Sequence, residues 1–474
     1  MPVSKDYLPI AGASGSQETG YTLSQSIRFN DNDSTRMGRT PSVAGNRRTW
    51  TYSAWVKRAN LSPSGFHFLF ARAEASVASW IGFYQDNFVY AAASGGHEAR
   101  YYTTRKFRDP SAWYHFVIAS DTTQTNAEER VRIYVNGERE TSFGTLTVPS
   151  INYQGYFNTT SLHDIGVSRP SGSISGYFDG YMAEFHWLDG TAYGPEYFGE
   201  FNNDGIWIAK EYEGGSYGTN GFYIKGEDSS DLGNDSSGNN NDYSTTGLAA
   251  HDQVLDVPTN NFCVMSPLDT FLGTSTFADG NLLITGSSQI TSSTISVSSG
   301  KWYVEVRKNA NADNQIGVMT GPTNQPSSSL GAVQFRRAWR DNNNSPQFLT
   351  DNGTAGSGTA ESLAAGDILG IALDLDNDAI YFADNNTWMN SGDPTSGSSK
   401  TGANWTDLNL YEEWRFFIGS NANAINATWN FGQDGTFGGT ETAQGNADGN
   451  GNGNFYYTPP NGYLALCTNN LFRA

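Results

Sequence analysis

The sequence predicts an all-β chain of two antiparallel β-sandwiches, and three observations predict it. Short segments that alternate apolar and polar residues recur at regular intervals between polar turns. Charged residues make up only 16% of the chain, which holds 53 glycines and 14% aromatics, a composition of strands and turns rather than of helices. At 474 residues the chain exceeds one small core and suits two sandwiches of roughly 200 residues each.

Residues 1–22 read as a polar N-terminal arm without periodicity, whose cluster Tyr7-Leu-Pro-Ile10 either anchors on a partner or packs back on its own domain. Over 23–205 the strand signals come close together. Trp50-Thr-Tyr-Ser-Ala-Trp-Val-Lys57 places Trp50, Tyr52, Ala54 and Val56 on one face. Val131-Arg-Ile-Tyr-Val135 alternates in the same way and runs into Asn136-Gly137, a two-residue hairpin turn that needs positive φ at both positions. Adding Ser26-Ile-Arg-Phe29, Trp113-Tyr-His-Phe116, Asp164-Ile-Gly-Val167 and Tyr177-Phe-Asp-Gly-Tyr-Met-Ala-Glu-Phe185 gives six pieces whose order resembles the laminin-G-like, concanavalin-type jelly roll.

Residues 206–265 are turn-rich, as in Asp235-Ser-Ser-Gly-Asn-Asn-Asn-Asp242, and read as a connector. Its one strand signal, Gly221-Phe-Tyr-Ile-Lys225, is expected to pack on the first sandwich. A second strand series fills 266–474. Gly366-Asp-Ile-Leu-Gly-Ile-Ala-Leu-Asp-Leu375 followed by Asp376-Asn-Asp-Ala-Ile-Tyr-Phe382 predicts a hairpin burying Leu369, Ile371, Leu373 and Leu375 on one face. With Gly300-Lys-Trp-Tyr-Val-Glu-Val-Arg307, Gln315-Ile-Gly-Val-Met319, Phe416-Phe-Ile-Gly419 and Thr428-Trp-Asn-Phe-Gly-Gln433, it resembles the strand order of a SPRY domain. The ending, Asn454-Phe-Tyr-Tyr-Thr-Pro-Pro-Asn-Gly-Tyr463 and onward, resembles the C-termini of SPRY-bearing proteins of tailed bacteriophages.

Twenty-eight Lys and Arg against 48 Asp and Glu give a net charge of −20, which disfavours nucleic acid and anionic membrane as partners. The excess is uneven: residues 1–226 carry 19 basic and 22 acidic groups, and 227–474 carry 9 and 26. Cys263 and Cys467 exclude a disulfide-rich scaffold; both sit in apolar strings that would make neighbouring strands of the second domain, with buried free thiols favoured over a bridge. The N-terminus lacks a signal-peptide apolar run and no 18-residue apolar stretch occurs, so synthesis in the cytoplasm and no membrane insertion are expected.

Concanavalin-type glycosidases need two carboxylates about 5–5.5 Å apart for retention, usually on a Glu-x-Asp-x-x-Glu strand. The nearest segment, Ala183-Glu-Phe-His-Trp-Leu-Asp189, carries His186 where the Asp would stand, so no catalytic residue is assigned and an enzyme is not expected. Asp31, Asp33 and Asp179 could offer oxygen ligands to calcium but equally suit turns; no metal or cofactor is assigned. The most site-like stretch is Arg100-Tyr-Tyr-Thr-Thr-Arg-Lys-Phe-Arg108, where Arg100, Tyr101, Tyr102 and Arg105 could stack on a sugar and grip its anionic groups. The same basic pattern also suits an edge strand that blocks edge-to-edge pairing. Trp388, in a loop of the second domain, is a further candidate contact. The resemblances imply a virion appendage, a fibre, knob or spike recognising a host-surface polysaccharide, with other virion proteins and further copies of itself as partners. The alternatives are a capsid-decoration or tail-assembly protein without glycan binding, and a polysaccharide depolymerase.

Overall fold

The computed structural model describes residues 21–61, 65–74, 77–271, 273–287, 289–321, 335–341, 346–350, 358–420 and 424–471, so most of the expected arm lies outside the described residues. The chain divides into two compact units, one of residues up to 253 with 257–261 and the other of 254–256 with 262 onward. Both are antiparallel β, and the one α-helix among the described residues is the short Thr468–Leu471.

In the first unit one sheet runs in the order Glu138–Arg139, Val131–Val135, Trp113–Asp121, Thr49–Arg58, Gly180–Asp189, Ser26–Phe29, and Phe222–Ile224 also pairs with Gly180–Asp189. The other runs Phe143–Thr147, His97–Lys106, Asn87–Ser94, Val77–Tyr84, Phe66–Glu74, His163–Ile165, Arg36–Arg39, Ser244–Thr246. Trp50, Tyr52, Ala54 and Val56 enter the core between them, as the alternation predicts, and meet Phe70, Ile81, Phe83, Tyr90 and Phe116. Trp50 stacks on Trp187 at 4.9 Å and Phe88 on Phe116 at 4.1 Å. Each buried aromatic contributes about 2–3 kcal/mol of apolar transfer, and ring pairing adds about 1 kcal/mol. Asn136 and Gly137 have φ of 49° and 79° and close the hairpin that pairs Val135 with Glu138.

The opposite face of Thr49–Arg58 is buried as well, through Thr51, Ser53, Trp55 and Lys57. A second cluster of Val117, Leu188, Phe198 and Tyr217, with Tyr193, Tyr197, Tyr212 and Tyr223 packed against it, lies outside the main core. Here Ser53 Oγ meets His115 Nε2 at 2.8 Å, Trp207 Nε1 donates to His115 Nδ1 at 3.0 Å, and Trp55 stacks on the imidazole at 4.8 Å.

In the second unit one sheet runs Met265–Phe271, Ile290–Ser293, Arg415–Gly419, Gln315–Met319, Arg336–Arg340, Gln347–Leu349. The other runs Thr274–Ala278, Leu283–Ser287, Ala424–Asn430, Lys301–Lys308, Ile368–Asp374, Ala379–Asp384, Thr387–Trp388. Leu369, Ile371 and Leu373 share its core with Trp302, Trp339, Trp414 and Trp429, and Leu375 packs at the margin. Cys263 and Cys467 are buried free thiols on adjacent segments: the Cys263 N–H donates to the Leu466 carbonyl at 3.0 Å, and Phe262 bridges Cys467.

Candidate functional site

Strand alternation decides where the basic, aromatic stretch points. His97–Lys106 sends Ala99 and Tyr101 into the core and leaves Arg100 and Tyr102 on the outer face, half-buried. This strand is paired on both flanks, with Asn87–Ser94 and with Phe143–Thr147, so it is an inner strand and not the edge that its charges also suited.

The same rule places Trp80 and Tyr84 on the outer face of Val77–Tyr84, since Ile81 and Phe83 point inward. Between them and Arg100 lies Asn87–Ser94, whose outward residues Val89 and Ala91 are small. The ladder aligns them in rows: Trp80 opposite Ala91 opposite Arg100, and Gly82 opposite Val89 opposite Tyr102. Small side chains in the middle let the flanking rings approach across two strands. Tyr102 lies edge-on to Trp80 at 6.2 Å and to Tyr84 at 5.9 Å, while Phe66 meets Tyr84 at 4.6 Å and Trp80 at 5.0 Å. Phe68 closes the patch beside Trp80 at 5.4 Å.

The Arg100 guanidinium lies 5.4 Å from the centre of the Tyr102 ring, and its Nε is out of solvent without a hydrogen-bond partner. Burial raises the Tyr102 phenol above its ordinary pKa, with Arg100 opposing, so the hydroxyl is neutral at physiological pH and can donate. A shallow platform of four aromatic side chains, Phe66, Trp80, Tyr84 and Tyr102, beside one guanidinium can stack a flat apolar surface and pair an anionic group at its rim.

The other residues singled out in the sequence lie elsewhere. Tyr101 stacks on Tyr90 at 6.1 Å and lines a separate cleft of about 300 Å³ with Val131, Arg139, Phe143 and Val148. Arg105 is exposed, its guanidinium 5.8 Å from the Phe107 ring. Trp388 belongs to the second unit, half-buried and edge-on to Tyr381 at 6.5 Å, just past the left-handed pair Asn385 and Asn386 that turns the chain. Phe66, Trp80 and Tyr84 were missed. For Trp80 and Tyr84 the signal is a pair of aromatics four residues apart, on the face opposite Ile81 and Phe83 in Trp80-Ile-Gly-Phe-Tyr84.

Asp31 and Asp33 form a 3-10 turn in which Asn30 bonds both the Asn32 N–H and Asp33, and Asn60 donates to Asp31 at 3.3 Å. Asp179 is buried. Among the described residues, no group of three or more His, Cys, Asp or Glu could hold a metal ion.

A family model described as the concanavalin A-like lectin/glucanases superfamily matches residues 25–195. Among solved structures, the chain is similar to the SPRY domain of human HERC1, at 16% identity over 35% of this chain and 96% of that one, TM-score 0.27. It is similar to the TRIM65 PSpry domain, at 13% identity over 36% and 92%, TM-score 0.27. It is also similar to a SAP-like pentraxin from Limulus polyphemus, at 12% identity over 36% and 76%, TM-score 0.26. No curated protein matches it. The first unit thus has the concanavalin-type lectin fold, and the whole chain is all-β.

Proposed function

We propose that the chain is a virion appendage protein of a tailed bacteriophage, a fibre, knob or spike, that recognises a host-surface glycan and catalyses no reaction. The observation that supports recognition is the outer-face platform of Phe66, Trp80, Tyr84 and Tyr102 beside Arg100, on a lectin-type sandwich. Its rings suit the C–H face of a sugar, and its guanidinium favours a carboxylated or sulfated one. Glu184, the carboxylate nearest to a glycosidase pattern in the sequence, is tied between two tyrosine hydroxyls, which fits a structural role. The phage setting rests on the resemblance of the C-terminal segment.

A glycan array read with the wild-type protein and with Trp80→Ala tests the reading. Truncating a central aromatic anchor costs more than about 1–2 kcal/mol, so retention on any anionic glycan should fall roughly tenfold or more. No glycan retained by the wild type, or equal retention by the variant, refutes recognition at this face. Labelling of purified phage particles by an antibody to the chain tests the setting; particles without label refute it.

A further inference from the structure

The first unit holds a second cleft, of about 410 Å³, on a different part of its surface. Its walls are Tyr21, Tyr212, Tyr217 and Tyr223, with Glu211 and Glu213 at the exposed rim. Three of the four tyrosines turn their hydroxyls into the protein. Tyr21 donates to Glu184 Oε2 and Tyr223 to Glu184 Oε1, both at 2.6 Å, and the Tyr217 hydroxyl meets His186 Nδ1 at 2.8 Å. The Tyr212 hydroxyl is also out of solvent. These four side chains therefore show a ligand ring carbon, while Lys225, Ser236 and Ser237 add polar atoms to the lining.

Behind the rings sits an anion. Glu184 is buried and occupies a bulge in Gly180–Asp189, with a left-handed φ of 51°, a conformation that costs a residue with a Cβ about 1 kcal/mol or more. Burial alone would raise its pKa, but His186, whose Nε2 lies 3.6 Å away, and the two tyrosine hydroxyls outweigh it and hold the carboxyl below its ordinary value. Glu184 is thus a carboxylate, and each hydroxyl that donates to it pushes electron density back into its own ring. Electron-rich rings in front of a buried carboxylate, with two exposed carboxylates at the rim, make a surface that attracts a cation. A strongly hydrated metal ion would gain little from ring carbon, whereas an alkylated ammonium sheds its weak hydration easily. Lys225, which also lines the cleft, has its charge paired with Glu227.

We propose that this cleft is an aromatic cage for an organic ammonium group of the trimethylammonium type. The site is separate from the platform, so it stands whether or not the chain binds glycans. Equilibrium dialysis against labelled choline, with neutral dimethylbutanol of the same shape as competitor, tests it. Saturable choline binding that dimethylbutanol displaces at least tenfold less well is expected. It should weaken roughly tenfold in Tyr212→Leu and in the rim double variant Glu211→Gln with Glu213→Gln, whose exposed positions leave folding intact. No saturable choline binding, or equal competition by the neutral isostere, overturns the cage. Phosphatidylcholine vesicles form the second arm: cosedimentation abolished by the rim variant assigns the ammonium to a lipid headgroup, and choline binding without cosedimentation assigns it to a free solute; either supports the cage.

Discussion

Raising the pH from 5 to 8 should destabilise the second unit through one buried carboxyl, Glu305. It stands on Lys301–Lys308 with no solvent exposure and accepts from the Tyr456 and Tyr457 N–H groups at 2.9 and 2.7 Å, from Asn430 Nδ2 at 3.1 Å and from the Tyr303 hydroxyl at 3.2 Å. Burial outweighs these four donors and pushes its pKa up to about 7, against 4.5 in the unfolded chain. A carboxyl whose folded pKa is raised binds its proton more tightly when folded. Its contribution is therefore complete below pH 4.5, declines as pH rises toward 7, and is lost above that. The gap between 4.5 and about 7, at about 1.4 kcal/mol per pH unit, is about 3 kcal/mol. Urea unfolding of the full chain at pH 5, 6, 7 and 8, wild type beside Glu305→Gln, reads it. The glutamine amide faces donors and lowers stability by a constant offset, but it cannot titrate. The difference between the two proteins should shrink by about 2–3 kcal/mol from pH 5 to pH 8. Parallel curves at all four pH values refute the assignment.

The first unit should respond to acid in the opposite sense. Burial pushes His67 down to about 4, and His115 and His163 to about 3, so each is neutral when folded and titrates when unfolded. Their stabilisation is present above pH 6.5 and is lost as pH falls toward those values, up to about 2 kcal/mol each by pH 5; calorimetric transitions that do not separate between pH 7 and 5 would refute the contrast. Asn158 donates to the Asn46 carbonyl and to Asp189, accepts from Trp187 Nε1 at 2.9 Å and holds a φ of 60°. Asn158→Ala strands these partners and should cost about 2–4 kcal/mol in urea unfolding, with a loss below about 1 kcal/mol counting against the network. Arg100→Gln should leave stability within about 0.5 kcal/mol but weaken retention of sulfated more than of neutral glycans, and added salt should erase the difference. Cys263 and Cys467 should be inert to a maleimide in the native protein and both react in urea, counted by mass spectrometry; native labelling of either thiol contradicts their burial.

The fold was legible where one face of a strand is apolar and the other polar. Trp50, Tyr52, Ala54 and Val56, and likewise Leu369, Ile371 and Leu373, announce their core faces by period alone. What period two cannot show is a polar face that is also covered. Thr51, Ser53 and Lys57 read as solvent-facing, yet they are buried, because their polar atoms find partners such as His115 and Asn261 that are far away in the chain. The candidate site was half legible. Arg100 and Tyr102 stood out as a basic, aromatic run, but neighbours in sequence point to opposite faces, so Tyr101 went with them wrongly into one patch. Their true neighbours, Trp80 and Tyr84, sit two strands over, at a distance in sequence that only the ladder closes.

The pairing of His97–Lys106 on both flanks has a mechanical consequence. A tether fixed to Arg100 and Tyr102 would pull on a strand held by two ladders, so tension along it must shear many backbone hydrogen bonds together instead of peeling them one at a time from a free edge. With Tyr101 set in the core between Arg100 and Tyr102, a load on either residue passes into a strand that is paired on both sides.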